Sequence, residues 1–115
     1  MALDLSRYED IEWDPEEDPN GNLAHCMRAN HLGPEPEQIV YEVLSREPVE
    51  FEMPLKTAKY AIVGPEESSA TLWVVLLDVS SRRDDWLRPI TGWRARPAQE
   101  AAWHQRRRGG GTASR

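Results

Sequence analysis

The sequence predicts an α+β domain, with helices packed on one face of a small antiparallel β-sheet and a C-terminal helix. Three observations predict it. Two helix-period stretches come early, between residues 20 and 47. A run of strand-like segments separated by turn residues follows, from residue 49 to residue 91. An Ala-rich helical stretch then starts at Pro97. Helices grouped before hairpin-connected strands are the pattern of a layered α+β structure. A chain of 115 residues has room for one such domain. Residues 1–9 read as a short leader, 10–108 as the domain and 109–115 as a disordered tail.

The elements follow in order. "DIEWD" (10–14) alternates Ile11 and Trp13 with acids, which suits one brief strand. "PEEDPNGN" is a turn by its Pro, Asp, Asn and Gly. A helix is expected to start at Asn20 to Asn22 and to run until Gly33 and Pro34, with Leu23, Met27 and His31 on one face. Pro36 suits the first turn of a second helix, whose apolar stripe is Ile39, Val40, Val43 and Leu44. "VEFEM" (49–53) and "KYAIVG" (59–64) are expected strands, and "GPEESS" is a hairpin turn. "ATLWVVLLDVS" (70–80) is rich in β-branched and large apolar residues and is the expected central strand. "SSRRDD" is a second hairpin loop and "WLRPIT" (86–91) the last strand. Pro89 cannot donate a ladder hydrogen bond, so it belongs at an edge or a bulge.

Composition excludes several classes. Cys26 is the single cysteine, so an internal disulfide and a Cys-based metal site are ruled out, and a reducing, cytoplasmic setting is expected. "MALDLSRYED" has no basic region leading into an apolar run, so it does not read as a signal peptide. The longest apolar run, Leu72 to Leu77, is too short to cross a bilayer, and no membrane partner is expected. Phosphate-loop, HExxH and GxSxG motifs are absent from the sequence. His25 and His31 lie six positions apart, poorly placed on one helix to share a metal, so neither a metal nor a cofactor is expected. The net charge of −6 is unevenly spread. Residues 1–55 carry 14 acids and 3 bases, whereas 56–115 carry 6 acids and 11 bases. Such a division makes a polar surface potential, or a solvated acidic leader with a basic tail.

Chemistry concentrates in "WLRPITGWRA" (86–95), which places Trp86, Arg88, Trp93 and Arg94 in ten residues. Arg88, Arg94 and Arg96, with Lys59 on a neighbouring strand, could converge on one sheet face. Arginine stabilises charge on a phosphoryl group, and indole rings stack on unpaired bases. The same residues also fit a scaffold role, with tryptophans filling core volume and arginines in exposed ion pairs.

The order of motifs resembles the BrnT-like toxins of bacterial type II toxin–antitoxin systems, which have a RelE-like ribonuclease fold. "EWD" (12–14) matches the Trp-Asp that closes the family's first strand. "NLAH" (22–25) matches its Asn and His helix, without the lysine before the histidine. "PEQIVYEVLS" matches the second helix, "KYAIVG" the Arg-Tyr strand with Lys59 for arginine, and "LWVVLLDV" the apolar strand. "RPITGWRARPAQEAAW" (88–103) matches the closing Arg-x-Ile-Ser-Ala-Arg-x-Ala signature, with Trp93 where its second arginine stands. The likeness spans roughly residues 10 to 106. It implies a metal-independent mRNA endoribonuclease neutralised by a cognate antitoxin protein, as a homodimer or a toxin–antitoxin hetero-oligomer. Arg88 would hold the scissile phosphate, Lys59 would assist, and His25 would be the general acid or base. Arg94, Trp93 and Trp86 would bind RNA. The change at Trp93 implies the alternative, a catalytically degenerate BrnT-like domain that binds protein.

Overall fold

The computed structural model describes residues 3–53, 58–67 and 70–113. Its elements are β1 (Asp10–Ile11), α1 (Asn22–Cys26), α2 (Pro36–Ser45), β2 (Val49–Glu50), β3 (Tyr60–Pro65), β4 (Leu72–Val79), β5 (Trp86–Arg94) and α3 (Pro97–Ala113). A 3-10 turn at Leu5–Arg7 precedes them. The strands form a five-stranded sheet in the order β1-β5-β4-β3-β2. The predicted order of helices and strands is therefore the observed one.

The expectation of a wholly antiparallel sheet is corrected. β2 through β5 are antiparallel neighbours, but β1 pairs parallel with β5, Asp10 opposite Trp86 and Ile11 opposite Leu87. A parallel pair needs a crossover rather than a hairpin, and here α1, α2 and three strands supply it. The helices also occupy both faces, not one. Strand side chains alternate between faces, and both faces of the central strands are apolar. Tyr60, Ile62, Val75 and Leu77 meet Val40 and Val43 of α2 in one cluster. Val63, Val74 and Leu72 meet Trp103 of α3 in another.

α1 is shorter than expected. It ends at Cys26, and the Leu32 amide returns to the Cys26 carbonyl at 2.9 Å. Leu32 is the reason. Its side chain is buried beside Gly92, where an added Cβ would lie 2.7 Å from Leu32 Cδ2. A helix continued to Gly33 would carry Leu32 away from that seat, so core packing overrides the local helix signal. Met27 and His31 consequently do not extend the apolar face of α1; the buried set is Leu23, Cys26 and Leu32.

The chain ends differ in extent from the sequence reading. Leu3, Leu5 and Tyr8 pack against the larger cluster, and the Tyr8 and Tyr60 hydroxyls lie 3.4 Å apart. α3 runs past position 108, to Ala113. Ser68 and Ser69 of the expected hairpin turn lie outside the described residues. No helix among the described residues is long and apolar enough to cross a membrane.

Candidate functional site

β5 organises the site through a bulge. Leu77 stands opposite Pro89, whereas Leu76 stands opposite Thr91, so Ile90 is the extra residue. A bulge reverses the alternation of side chains beyond it. Arg88 pairs with Asp78 and Trp93 with Val74, and these β4 partners are four residues apart on one face. Trp86, Arg88, Thr91 and Trp93 therefore share a face despite their mixed spacing. Arg94 pairs with Trp73 and takes the opposite face. The bulge at Ile90 does not bring Arg94 beside Arg88.

The residues preceding α1 close around Arg88. Arg88 Nη1 and Nη2 donate to the two oxygens of Asp14 at 3.1 and 2.6 Å, and Nη1 also reaches Glu12 Oε1 at 3.3 Å. Glu12 and Asp14 are two apart in an extended segment, which aims both at the same neighbour. The Arg88 side chain is 27% exposed, and Glu12's only 9%. The Arg88 guanidinium holds the Asp14 carboxyl below its ordinary range, helped by the Asn22 amide.

Asn22 locks this corner. Its backbone amide donates to Asp14 Oδ2 at 2.8 Å, and its Oδ1 accepts from the Asp14 amide at 2.8 Å. Its Nδ2 donates to the carbonyls of Glu12 and Pro89 at 2.9 and 2.8 Å. β1 is only two residues long, so the β5 edge beyond Leu87 lacks a strand partner there. α1 takes that place, with Asn22 on the Pro89 carbonyl and Cys26 Sγ 4.0 Å from the Ile90 carbonyl. Burial pushes the Cys26 thiol up to about 11.

His25 lies three residues after Asn22, on the same side of α1. Its Nε2 shares a hydrogen bond with Thr91 Oγ1 at 3.1 Å. His31, freed from the helix by the early stop, returns to place its ring 4.6 Å from that of His25. Burial lowers the His25 pKa, and His31 and Arg28 lower it further, so the neutral imidazole is favoured. Among the described residues no group of three His, Cys, Asp or Glu side chains is placed to hold a metal ion.

The structure thus gathers Arg88, Trp86 and Trp93 on one face and connects His25 to it through Thr91. Lys59 is elsewhere. Its Nζ lies 5.6 Å from the centre of the Tyr60 ring, and Tyr60 belongs to the cluster on the α2 face. Arg83 and Arg96 cover the rings of Trp86 and Trp93 at 5.1 and 5.6 Å. Both indoles are partly exposed, and Trp93 Nε1 is buried without a hydrogen-bond partner. Asp14, Glu12, Asn22 and Thr91 escaped the sequence reading as site residues. The signal for the two acids was their two-residue spacing in "EWD".

Comparison of the chain with protein-family models, with curated proteins and with solved structures found no match.

Proposed function

We propose that the chain is a BrnT-like domain of a type II toxin–antitoxin system that acts by binding its cognate protein partner, with ribonuclease chemistry lost. One observation carries this reading: Arg88 is already held by Asp14 and Glu12. An RNA phosphate would have to displace a bidentate carboxylate and then sit beside two negative charges. Charge-assisted bidentate pairs are among the stronger polar contacts, so the exchange is unfavourable. Exposed Arg82, 3.8 Å from Glu12, offsets those charges only weakly, and Lys59 and Arg94 point elsewhere.

A second reading, an active endoribonuclease, is favoured by a different observation. The bulge at Ile90 puts Arg88, Trp86 and Trp93 on one face, and a neutral His25 is tied to that strand. A neutral imidazole can accept a proton from a ribose hydroxyl while an arginine stabilises the phosphorane.

Induced expression in a bacterial host separates the two. The binding-module reading predicts unchanged growth on expressing this chain alone, and a co-purifying complex when the adjacent gene's product is co-expressed. Growth arrest abolished by Arg88→Ala would overturn it in favour of the ribonuclease.

A further inference from the structure

The turn before α1 places an asparagine directly ahead of a glycine, Asn20 and Gly21. An asparagine carboxamide carbon is an electrophile, and the amide nitrogen of the next residue is the nucleophile nearest to it along the chain. Attack of that nitrogen on Cγ closes a five-membered succinimide ring. A side chain on the next residue crowds the closure, and glycine has none. The chain has three asparagines, Asn20, Asn22 and Asn30, and they precede glycine, leucine and histidine.

The structure separates the three. Asn22 is buried, and its carboxamide is held by the Asp14 amide and by the Glu12 and Pro89 carbonyls, so its Cγ is fixed in place. Asn30 is exposed, but the residue after it is His31, whose ring is seated against that of His25. Asn20 is exposed, and its described hydrogen bond is made by its backbone amide, to Asp18 Oδ1 at 3.0 Å, which leaves the carboxamide able to rotate. One bond restrains the nucleophile: the Gly21 amide donates to the Asp18 carbonyl at 3.1 Å across a turn whose Asp18, Pro19 and Asn20 are exposed. Opening one exposed turn bond is a local event that leaves the core intact.

We propose that the Asn20–Gly21 link is a self-modification site that deamidates in the folded chain and loosens the Arg88 corner. The Gly21 nitrogen gives its proton to solvent base and bonds to Asn20 Cγ, and the carboxamide nitrogen leaves as ammonia. Water then adds to one ring carbonyl and breaks its bond to the Gly21 nitrogen. Opening at Cγ gives aspartate. Opening at the main-chain carbonyl gives isoaspartate, in which the chain runs through Cβ and Cγ and is longer by one carbon. The fold makes the second product consequential. Gly21 is buried so close to Asp14 that a Cβ would lie 2.6 Å from Asp14 Cβ, and the Asn22 amide donates to Asp14 Oδ2 at 2.8 Å. Close-packed neighbours leave an added main-chain carbon no slack. It displaces Gly21 or Asp14, and either movement weakens the hold of Asp14 on Arg88. The aspartate product adds only an exposed charge near Asp18. The inference is independent of what the corner binds.

The test incubates the purified whole chain at mildly alkaline pH, folded and, in parallel, unfolded in guanidinium. Peptide mass spectrometry follows the exchange of amide for acid, and labelling with an isoaspartate methyltransferase identifies the lengthened product. Conversion at Asn20 is expected in both samples, more slowly in the folded one, where Asn22 and Asn30 stay intact. Asn20→Gln, an exposed change, is expected to stop it. The separated isoaspartyl chain is expected to unfold at a lower guanidinium concentration than the unmodified chain, whereas Asn20→Asp unfolds with the unmodified chain. A folded chain still intact at Asn20 after the unfolded one has converted would overturn the site, as would conversion at Asn22 or Asn30 in its place. Equal unfolding midpoints for the isoaspartyl and unmodified chains would overturn its link to the Arg88 corner.

Discussion

At one corner of the sheet Glu12 and Asp14 close around Arg88 from the same chain, whereas the cavity beside α2 holds Glu35, Glu42 and Glu66 with no lysine or arginine in its described lining. Both places cluster carboxylates next to tryptophan, Trp86 near the first and Trp73 in the second. The first serves folding: its ions join the N-terminal segment to β5, and the Asn22 side chain ties α1 to both. In the second, Gln38 and the Glu67 amide donate to Glu42, and Trp73 Nε1 donates to Glu66, while Glu35 is exposed. A carboxylate held by a half-buried arginine contributes more when kept than an exposed one such as Glu35 does. Mutation can separate the two places on that basis.

The largest effect belongs to Asn22→Ala. It removes donors to Glu12 and Pro89 and the acceptor for the Asp14 amide, leaving buried polar groups unmet. About 3 kcal/mol of unfolding free energy should be lost in urea denaturation. A loss under about 1 kcal/mol would mean that the corner does not depend on this clamp. Next comes Arg88→Ala, which leaves two carboxylates facing each other in a half-buried site. Its cost should be about 2 kcal/mol, between the values for exposed and fully buried pairs. Gly21→Ala should act the same way without removing a charge, because its Cβ would lie 2.6 Å from Asp14 Cβ and push that side chain off Arg88.

Acid comes next. The Asp14 pKa in the folded chain is below its ordinary 3.8, mainly through the Arg88 hydrogen bonds. The corner's contribution is therefore complete above that ordinary value and disappears as pH falls through the lower folded value. Arg88→Ala should flatten this limb of a stability–pH curve. His25 gives a gentler slope at higher pH. Its folded pKa is below the ordinary 6.5, so its contribution is present above 6.5 and declines as pH falls from there towards the folded value. His25→Gln should remove that slope. The smallest change is Glu35→Gln in the cavity, expected to stay within about 0.5 kcal/mol. A loss as large as that of Arg88→Ala would erase the distinction between the two places.

Much of the fold was legible because its signals are local. A run of β-branched and large apolar residues marked β4, Pro36 marked the start of α2, and Pro97 marked the start of α3. What escaped depends on distance along the chain. Nothing near Asp10 announces that it will lie parallel to Trp86. The Leu32 seat beside Gly92 ended α1 early and brought His31 onto His25, which helix spacing alone would have kept apart. The site was half legible for the same reason. Arg88, His25 and the tryptophans stand out by residue type. The roles of Glu12, Asp14 and Asn22 appear only when the N-terminal segment folds over β5. The bulge at Ile90 decided the faces of Trp93 and Arg94, and it is set by pairing with β4.

Cys26 has a consequence of its own. It closes the last turn of α1, is fully buried, and has a thiol pushed up to about 11. Thiolate is the reactive form, so an alkylating reagent at neutral pH finds almost nothing to attack while α1 lies on β5. Modification then waits on local opening, and its rate reports how often that helix lifts. With no other sulfhydryl in the sequence to compete, the chain carries a built-in stopwatch for the one short helix that joins the Arg88 corner to the cavity loop.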